Sequence, residues 1–156
     1  MSNRKVVSPE IARSVAEACL CLHVQRAARA LARHFDEVFR PLEITSGQYS
    51  LLMSLNRPAP TMGDTAEFLA MDRTTLTAAL KPLERRGLVR VTPDQKDRRI
   101  KRLTLTPAGN AVLSKAYALW QEFHGAIEAE MASPSAEAMR GGLIRMVKKL
   151  ERGNAD

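Results

Sequence analysis

The stretch DRTTLTAALKPLERRGLVRVTPDQKDRRIKR, residues 72–102, decides the fold. It opens on Asp72, a residue type that caps free helix amides, and runs into an amphipathic segment. Leu76, Ala79, Leu80 and Leu83 fall on one side of that segment. Arg73, Thr74, Thr75, Thr77 and Lys81 fall away from it. Pro82 removes one helix amide, and Gly87 closes the helix. Leu88–Thr92 is β-prone, Pro93–Asp97 is a turn, and Arg98–Thr106 returns as a second strand with Leu103 and Leu105 on one face. The prediction is a helix followed at once by a basic two-stranded hairpin.

Upstream, Thr61 with Asp64 three residues on starts a short helix that carries Met62, Ala66 and Leu69. Ala70-Met71 is a tight connection, so this helix and the next form a helix-turn-helix, and the hairpin is its wing. Thr45 and Gln48 make a capping box for a helix that ends near Leu55, and Asn56–Pro60 is a proline-marked loop. Residues 8–42 read as one long helix, with Leu20, Val24, Ala27, Leu31, Phe35, Val38 and Leu42 in one stripe. Arg26, Arg29, Arg33 and Arg40 lie roughly opposite. Such a length in a small chain predicts packing against a partner copy as well as the chain's own core. Downstream, Thr106-Pro107 starts a helix running to about Met131. Ser133-Pro134 repeats the device ahead of a last helix with Met139, Leu143, Met146, Val147 and Leu150. The expected fold is mainly α with a small β-hairpin wing, a winged helix-turn-helix flanked by helices from both chain ends.

The chain has 156 residues, 45% hydrophobic and 26% charged, with a formal net charge of +7. That length buries a core without disulfide staples. Residues 72–102 hold ten basic and four acidic residues, so about a fifth of the chain carries +6 of the excess. A merely solvated face needs no such concentration, and a polyanionic partner does. Aromatics are scarce at 4%, which argues against a base- or sugar-stacking surface. No stretch approaches the ~20 apolar residues of a membrane span, and the polar start followed by Glu10, Arg13 and Glu17 lacks the apolar run of a signal peptide. Cys19 and Cys21 cannot make a loop-closing framework, which points to a reducing, cytoplasmic compartment.

Asp97-Arg98-Arg99-Ile100-Lys101-Arg102-Leu103-Thr104-Leu105-Thr106-Pro107-Ala108-Gly109 fits the pattern D-x-R-x-x-x-(apolar)-x-L-T-x-x-G of the MarR family of transcriptional regulators. Leu42–Tyr49 resembles that family's second-helix start. Asp72–Thr77 with Leu83–Val89 resembles its recognition helix and the approach to its wing. The resemblance covers about Leu20 to Glu130. It implies a homodimer of winged-helix protomers on pseudo-palindromic, double-stranded promoter DNA, often a repressor relieved by a small phenolic or aromatic-acid ligand. The segments then divide as 1–44 for dimerisation, 45–106 for DNA binding, and 107–156 for dimerisation.

On the recognition helix, Arg73 can take guanine O6 and N7 with two donors, and Thr74, Thr75 and Thr77 can meet base edges or a thymine methyl, with Lys81 alongside. The resemblance pairs Asp97 with Arg99 at the hairpin tip and sends Arg99 into the minor groove, where a narrow A·T-rich groove attracts arginine. Lys96, Arg98 and Lys101 then hold phosphates. Arg85 and Arg86 read as solvated surface at a helix end. The resemblance also places an effector pocket between the winged helix and the helical base, with His23, Arg26, Ala27, Met53 and Trp120 as candidates. Arg26 reads equally as a carboxylate partner, a surface arginine or an intersubunit ion pair.

Within a regular helix Cys19 and Cys21 sit about 200° apart, so they cannot chelate one metal together. The first reading of each is a small hydrophobe. The alternative is a thiol-based oxidant sensor, because the family's organic-peroxide branch has a reactive cysteine eight residues before an R-A-L-like element, as Cys21 precedes Arg29-Ala30-Leu31. That branch surrounds its thiol with tyrosines, and the corresponding positions here are Gln25, Phe35 and Ser46. No phosphate-cradling glycine loop, zinc spacing or nucleophile motif is present, so neither an enzyme, a cofactor nor a metal is expected. A winged helix used only for protein interaction needs no basic wing, whereas this one has Lys96, Arg98, Arg99, Lys101 and Arg102.

Overall fold

The computed structural model describes residues 7–153. Its elements in chain order are α1 (Pro9–Ala18), α2 (Leu20–Phe39), a 3-10 turn (Arg40–Leu42), α3 (Ser46–Ser54), α4 (Met62–Phe68), α5 (Arg73–Arg85), β1 (Val89–Pro93), β2 (Lys101–Leu105), α6 (Pro107–Ala129) and α7 (Ala136–Gly153). The molecule is mainly helical with one antiparallel hairpin, and β1 pairs with β2 so that Val89 faces Leu105 and Val91 faces Leu103.

Local chemistry explains most helix starts. Thr45 and Gln48 exchange the two bonds of a capping box, as do Thr61 and Asp64. Asp72 caps α5, and Thr106 caps α6 with proline in the first turn. Gly87 leaves α5 at φ 69°, a left-handed conformation that strains any residue with a Cβ.

The core lies where α2, α3, α5, β2 and α6 meet. Phe39, Leu51, Leu52, Leu76, Leu80, Leu83 and Leu103 are fully enclosed there. Truncating one of these leucines to alanine costs about 2–5 kcal/mol. The hairpin is fastened to this core at both ends. At its exit, the Thr106 hydroxyl donates to the Gly87 carbonyl at 2.6 Å, and its amide donates to the Leu88 carbonyl at 3.1 Å. Gly109 is required at the same junction, because a Cβ there would sit 2.0 Å from the Leu88 carbonyl oxygen. On its far edge, the Leu103 amide donates to the Pro60 carbonyl at 2.9 Å, and Thr61 bridges to Arg102.

The structure departs from the sequence reading at both chain ends. Residues 8–42 do not form one helix. The backbone at Cys19 is extended (φ −76°, ψ 103°), which separates α1 from α2, and α2 ends at Phe39 before the 3-10 turn. The apolar stripe of α2 is buried only toward its C-terminal end, at Phe35, while Leu20 and Leu31 stay 70% and 48% exposed. Ser133-Pro134 does not start α7. Ser135 does, with its hydroxyl accepting from the Ala138 amide at 3.2 Å. α1 buries no residue, and none of residues 136–151 is buried. Ile11, Val15, Met139, Leu143, Ile144, Val147 and Leu150 all present apolar surface to solvent in the protomer.

Candidate nucleic-acid interface

α5 is held by its buried Leu76/Leu80/Leu83 stripe, which leaves Arg73, Thr74, Thr77 and Lys81 exposed on the other side. Asp72 fixes the start of the helix. One carboxylate oxygen accepts from the Thr75 amide at 2.8 Å and the other from the Thr75 hydroxyl at 2.6 Å. These bonds, the hydroxyl's first, hold the Asp72 carboxyl below its usual range. Thr75 therefore spends its hydroxyl proton on the cap and keeps only acceptor capacity toward a base. The Thr77 hydroxyl donates to the Arg73 carbonyl at 2.7 Å, so its proton is used within the helix while the side chain stays exposed.

The hairpin tip is organised by two aspartates. Asp94 is buried, and one of its oxygens accepts from the amides of Lys96 and Asp97 at 2.8 and 3.1 Å. Its other oxygen accepts from Nε of Arg102, whose guanidinium also donates to the Ala59 carbonyl at 2.8 Å. The Arg102 bond first, then the two amides, hold the Asp94 carboxyl down at about 2. Asp97 takes Arg99 in a two-pronged bond, Nε and a terminal nitrogen each at 3.1 Å, and also accepts the Arg99 amide at 3.0 Å. The Arg99 side chain is nevertheless 91% exposed, so its charge is oriented rather than hidden.

These elements meet across an open groove of about 420 Å³ lined by Thr61, Met62, Gly63, Arg73, Thr77, Arg99, Ile100 and Lys101. Helix and wing residues predicted from separate parts of the sequence thus share one concave surface. Arg73, Lys81, Arg90, Lys96, Arg98 and Lys101 enter no ion pair among the described residues. Sequence reading missed Asp94 and Arg102 as the internal clamp of the wing, because their contact crosses the hairpin. It also missed the partners of Arg86, which is exposed at the end of α5 as expected. That side chain donates to the Leu42 and Glu43 carbonyls and approaches the Glu43 carboxylate at 3.8 Å, so it ties α5 to the end of the 3-10 turn.

The five residues proposed for an effector pocket do not converge. Met53 and Trp120 line a cavity of about 530 Å³ between α3, α4 and α6, with Tyr49, Ser50, Phe68, Leu69 and Tyr117. Ala27 lines a different one of about 600 Å³ where α2, α6 and α7 approach. His23 and Arg26 line neither, and the His23 ring is bonded to the Glu17 carbonyl at 3.1 Å. In the first cavity burial, then the neighbouring Tyr117, pushes the Tyr49 hydroxyl up to about 12, so it stays protonated. Arg57 lies beside this cavity with its guanidinium 4.6 Å from the centre of the Phe68 ring. Among the described residues no helix is long and apolar enough to cross a membrane, and no cluster of three metal-ligating side chains occurs.

Comparison with known proteins agrees with this geometry. A model of the MarR family matches residues 44–101. The uncharacterized HTH-type transcriptional regulator YybA of Bacillus subtilis is 33% identical over 131 residues, spanning 80% of this chain and 84% of its own. The crystal structure of the Mycobacterium tuberculosis transcriptional regulator MosR in complex with DNA matches with a TM-score of 0.78 at 34% identity, over 86% of this chain and 97% of that one. The PcaV transcriptional regulator of Streptomyces coelicolor, solved with its natural ligand, matches with a TM-score of 0.71 at 25% identity, over 86% of this chain and 94% of that one.

Proposed function

The chain belongs to the MarR family of transcriptional regulators, and from that premise we propose that it is a cytoplasmic, homodimeric repressor that reads pseudo-palindromic promoter DNA and is released by a small aromatic ligand. The observation that carries the DNA reading is the groove that joins Arg73 and Thr77 of α5 to Arg99 and Lys101 of the wing, where Arg99 is oriented by Asp97 and Arg73 and Lys101 enter no ion pair among the described residues. α5 enters the major groove, with Arg73 on guanine and Thr74 and Thr77 on neighbouring base edges. Thr75 serves mainly as the cap partner, and Lys81 takes a phosphate at the far end of the helix. Arg99, aimed by Asp97, enters the adjacent minor groove. Lys96, Arg98 and Lys101 hold phosphates and set register without choosing sequence.

The exposed apolar faces of α1, α2 and α7 supply the dimer, so residues 1–44 and 107–156 form the base and 45–106 the reading head. A lone protomer covers one half-site, and two-fold pairing brings both heads to one face of the duplex. The effector lies in the Tyr49–Met53–Phe68–Tyr117–Trp120 cavity. Its walls are aromatic and apolar, with hydroxyls as the polar groups, which fits a flat, weakly polar aromatic molecule. An occupant there wedges α4 away from α3 and so displaces α5, which α4 contacts directly.

Fluorescence anisotropy on the DNA upstream of the protein's own gene, against scrambled DNA and across a salt series, tests the DNA reading. The expected result is a clear preference for the native sequence and a linear fall of log affinity with log salt. Equal, weak binding to both would refute sequence-specific self-regulation. Trp120 is the one tryptophan of the chain, so its emission reports occupancy of the effector cavity directly.

A further inference from the structure

Cys19 caps α2 and Cys21 stands exposed in the first turn of that helix, so neither is the packed small hydrophobe expected from the sequence. Neither lines the groove between α5 and the wing. Ile100 does. It is an apolar side chain, 39% exposed, on a hairpin tip whose adjoining residues are Arg98, Arg99 and Lys101. Its backbone is fixed in the tip turn. Its amide donates to the Asp97 carbonyl at 2.9 Å, and its carbonyl accepts from the Asp94 amide at 2.9 Å. The side chain belongs neither to the core nor to the partly buried apolar residues packed against the core. Met62, at the start of α4, is packed against the core and lines the same groove. The groove therefore carries apolar surface as well as the cations Arg73, Arg99 and Lys101.

Duplex geometry says what such a surface meets. One sugar–phosphate strand separates a major groove from the adjacent minor groove. A helix in the first and a wing in the second straddle that strand, and the hollow between them holds it. The strand offers charge on its phosphates and an apolar edge on its sugars. Carbon 2′ carries only hydrogens in DNA, whereas in RNA it carries a hydroxyl that faces the minor-groove side. Ile100 adjoins Arg99, the residue assigned to the minor groove. The cations suit phosphates of either backbone and leave the sugar unread. An isoleucine gains from a methylene, but it strips water from a hydroxyl and gives it no partner.

We propose that Ile100, with Met62 in the same groove, selects deoxyribose over ribose by seating the 2′-methylene of a sugar in the strand between α5 and the wing. The inference rests on the reading of the chain as a DNA-binding protein. A full RNA duplex is already excluded by its deep, narrow major groove. The sugar contact acts one nucleotide at a time, so it senses a single ribonucleotide inside an otherwise B-form duplex. Ile100 thereby adds specificity at a position where no base edge is touched.

The test uses a duplex that the full chain selects from random sequence. Single nucleotides along each strand are replaced by the ribonucleotide or by its 2′-fluoro analogue, which shares the ribose pucker but has no hydroxyl to desolvate. Anisotropy should find positions in each half-site where the hydroxyl weakens binding about fivefold or more and the fluorine less than about twofold. Ile100→Ser should bind the all-deoxy duplex about two- to fivefold more weakly than the parent and lose the hydroxyl penalty. Ile100→Val should keep it. No position with a hydroxyl penalty, equal penalties from hydroxyl and fluorine, or a penalty unchanged in Ile100→Ser would each overturn the proposal. A chain that enriches no duplex at all would overturn the DNA reading, and this inference with it.

Discussion

The wing and the terminal helices are opposite kinds of structure on one chain. The wing is short and polar, and its shape is fixed from within. Asp94 gathers two amides and Arg102, Asp97 holds Arg99, and Arg102 reaches back to Ala59. α1 and α7 are long and regular, yet α1 buries no residue and residues 136–151 include no buried position. The first region holds its geometry in the isolated protomer. The second leaves its apolar side chains exposed in the protomer, which the proposed dimer would cover. A regulator needs both, because base contacts demand a fixed local shape while the distance between two half-sites is set by how the protomers join.

Breaking the terminal side should have the largest effect. Leu143→Asp combined with Val147→Asp places charge on the apolar face of α7. It should halve the mass seen by light scattering and lower operator affinity by about a hundredfold or more, since the second head loses its tether. The wing should still bring each monomer weakly to DNA. Arg99→Ala attacks the other side. It should cost about ten- to a hundredfold in operator affinity while the dimer mass stays unchanged. If Arg99→Ala bound normally, the wing assignment would be wrong.

Asp94→Asn sharpens the comparison further, because it keeps the shape of the clamp and removes its charge. A loss of about three- to tenfold in affinity is expected, with the Lys96 and Asp97 amides exchanging faster by hydrogen exchange. Lys96→Ala should do least. It should weaken binding to all sequences alike and lower the salt slope by about one. Acid gives a complementary check. The Asp94 carboxyl is held down at about 2 in the folded wing, against an ordinary 3.8, so its support is present above about pH 4 and lost as the pH falls toward 2. NMR shifts of the Lys96 and Asp97 amides should follow that window.

Much of this was legible in the sequence because it is local. The boxes at Thr45–Gln48 and Thr61–Asp64, the Asp72 cap, Thr106-Pro107 and the turn at Gly87 are each written within four residues. The family pattern also marked Gly109, and the structure gives the reason in the close approach of the Leu88 carbonyl. The break at Cys19 was missed because neither proline nor glycine marks it, although the apolar stripe of α2 begins only at Leu20, just after it. The contacts of Arg86 were missed because its partners lie more than forty residues away in sequence. Asp94 and Arg102 were simply counted as charges, and only the hairpin register makes them a pair. The candidate DNA residues follow from helix phase and hairpin position, and the structure sets Arg73, Thr77, Arg99 and Lys101 along one groove. The effector candidates failed to converge because a cavity depends on how three helices pack.

The clamp of Asp94 and Arg102 has a kinetic consequence. A loop that must fold against DNA slows capture and spends part of its contact energy on becoming ordered. This hairpin arrives already shaped, with Arg99 held in place by Asp97 and neighbouring cations facing outward. Productive encounters should therefore be limited by arrival and orientation, and added salt should slow association by weakening long-range attraction. The lifetime of the complex is then left to the base contacts proposed for α5, so a search that is fast everywhere can still end in a long stay at one site.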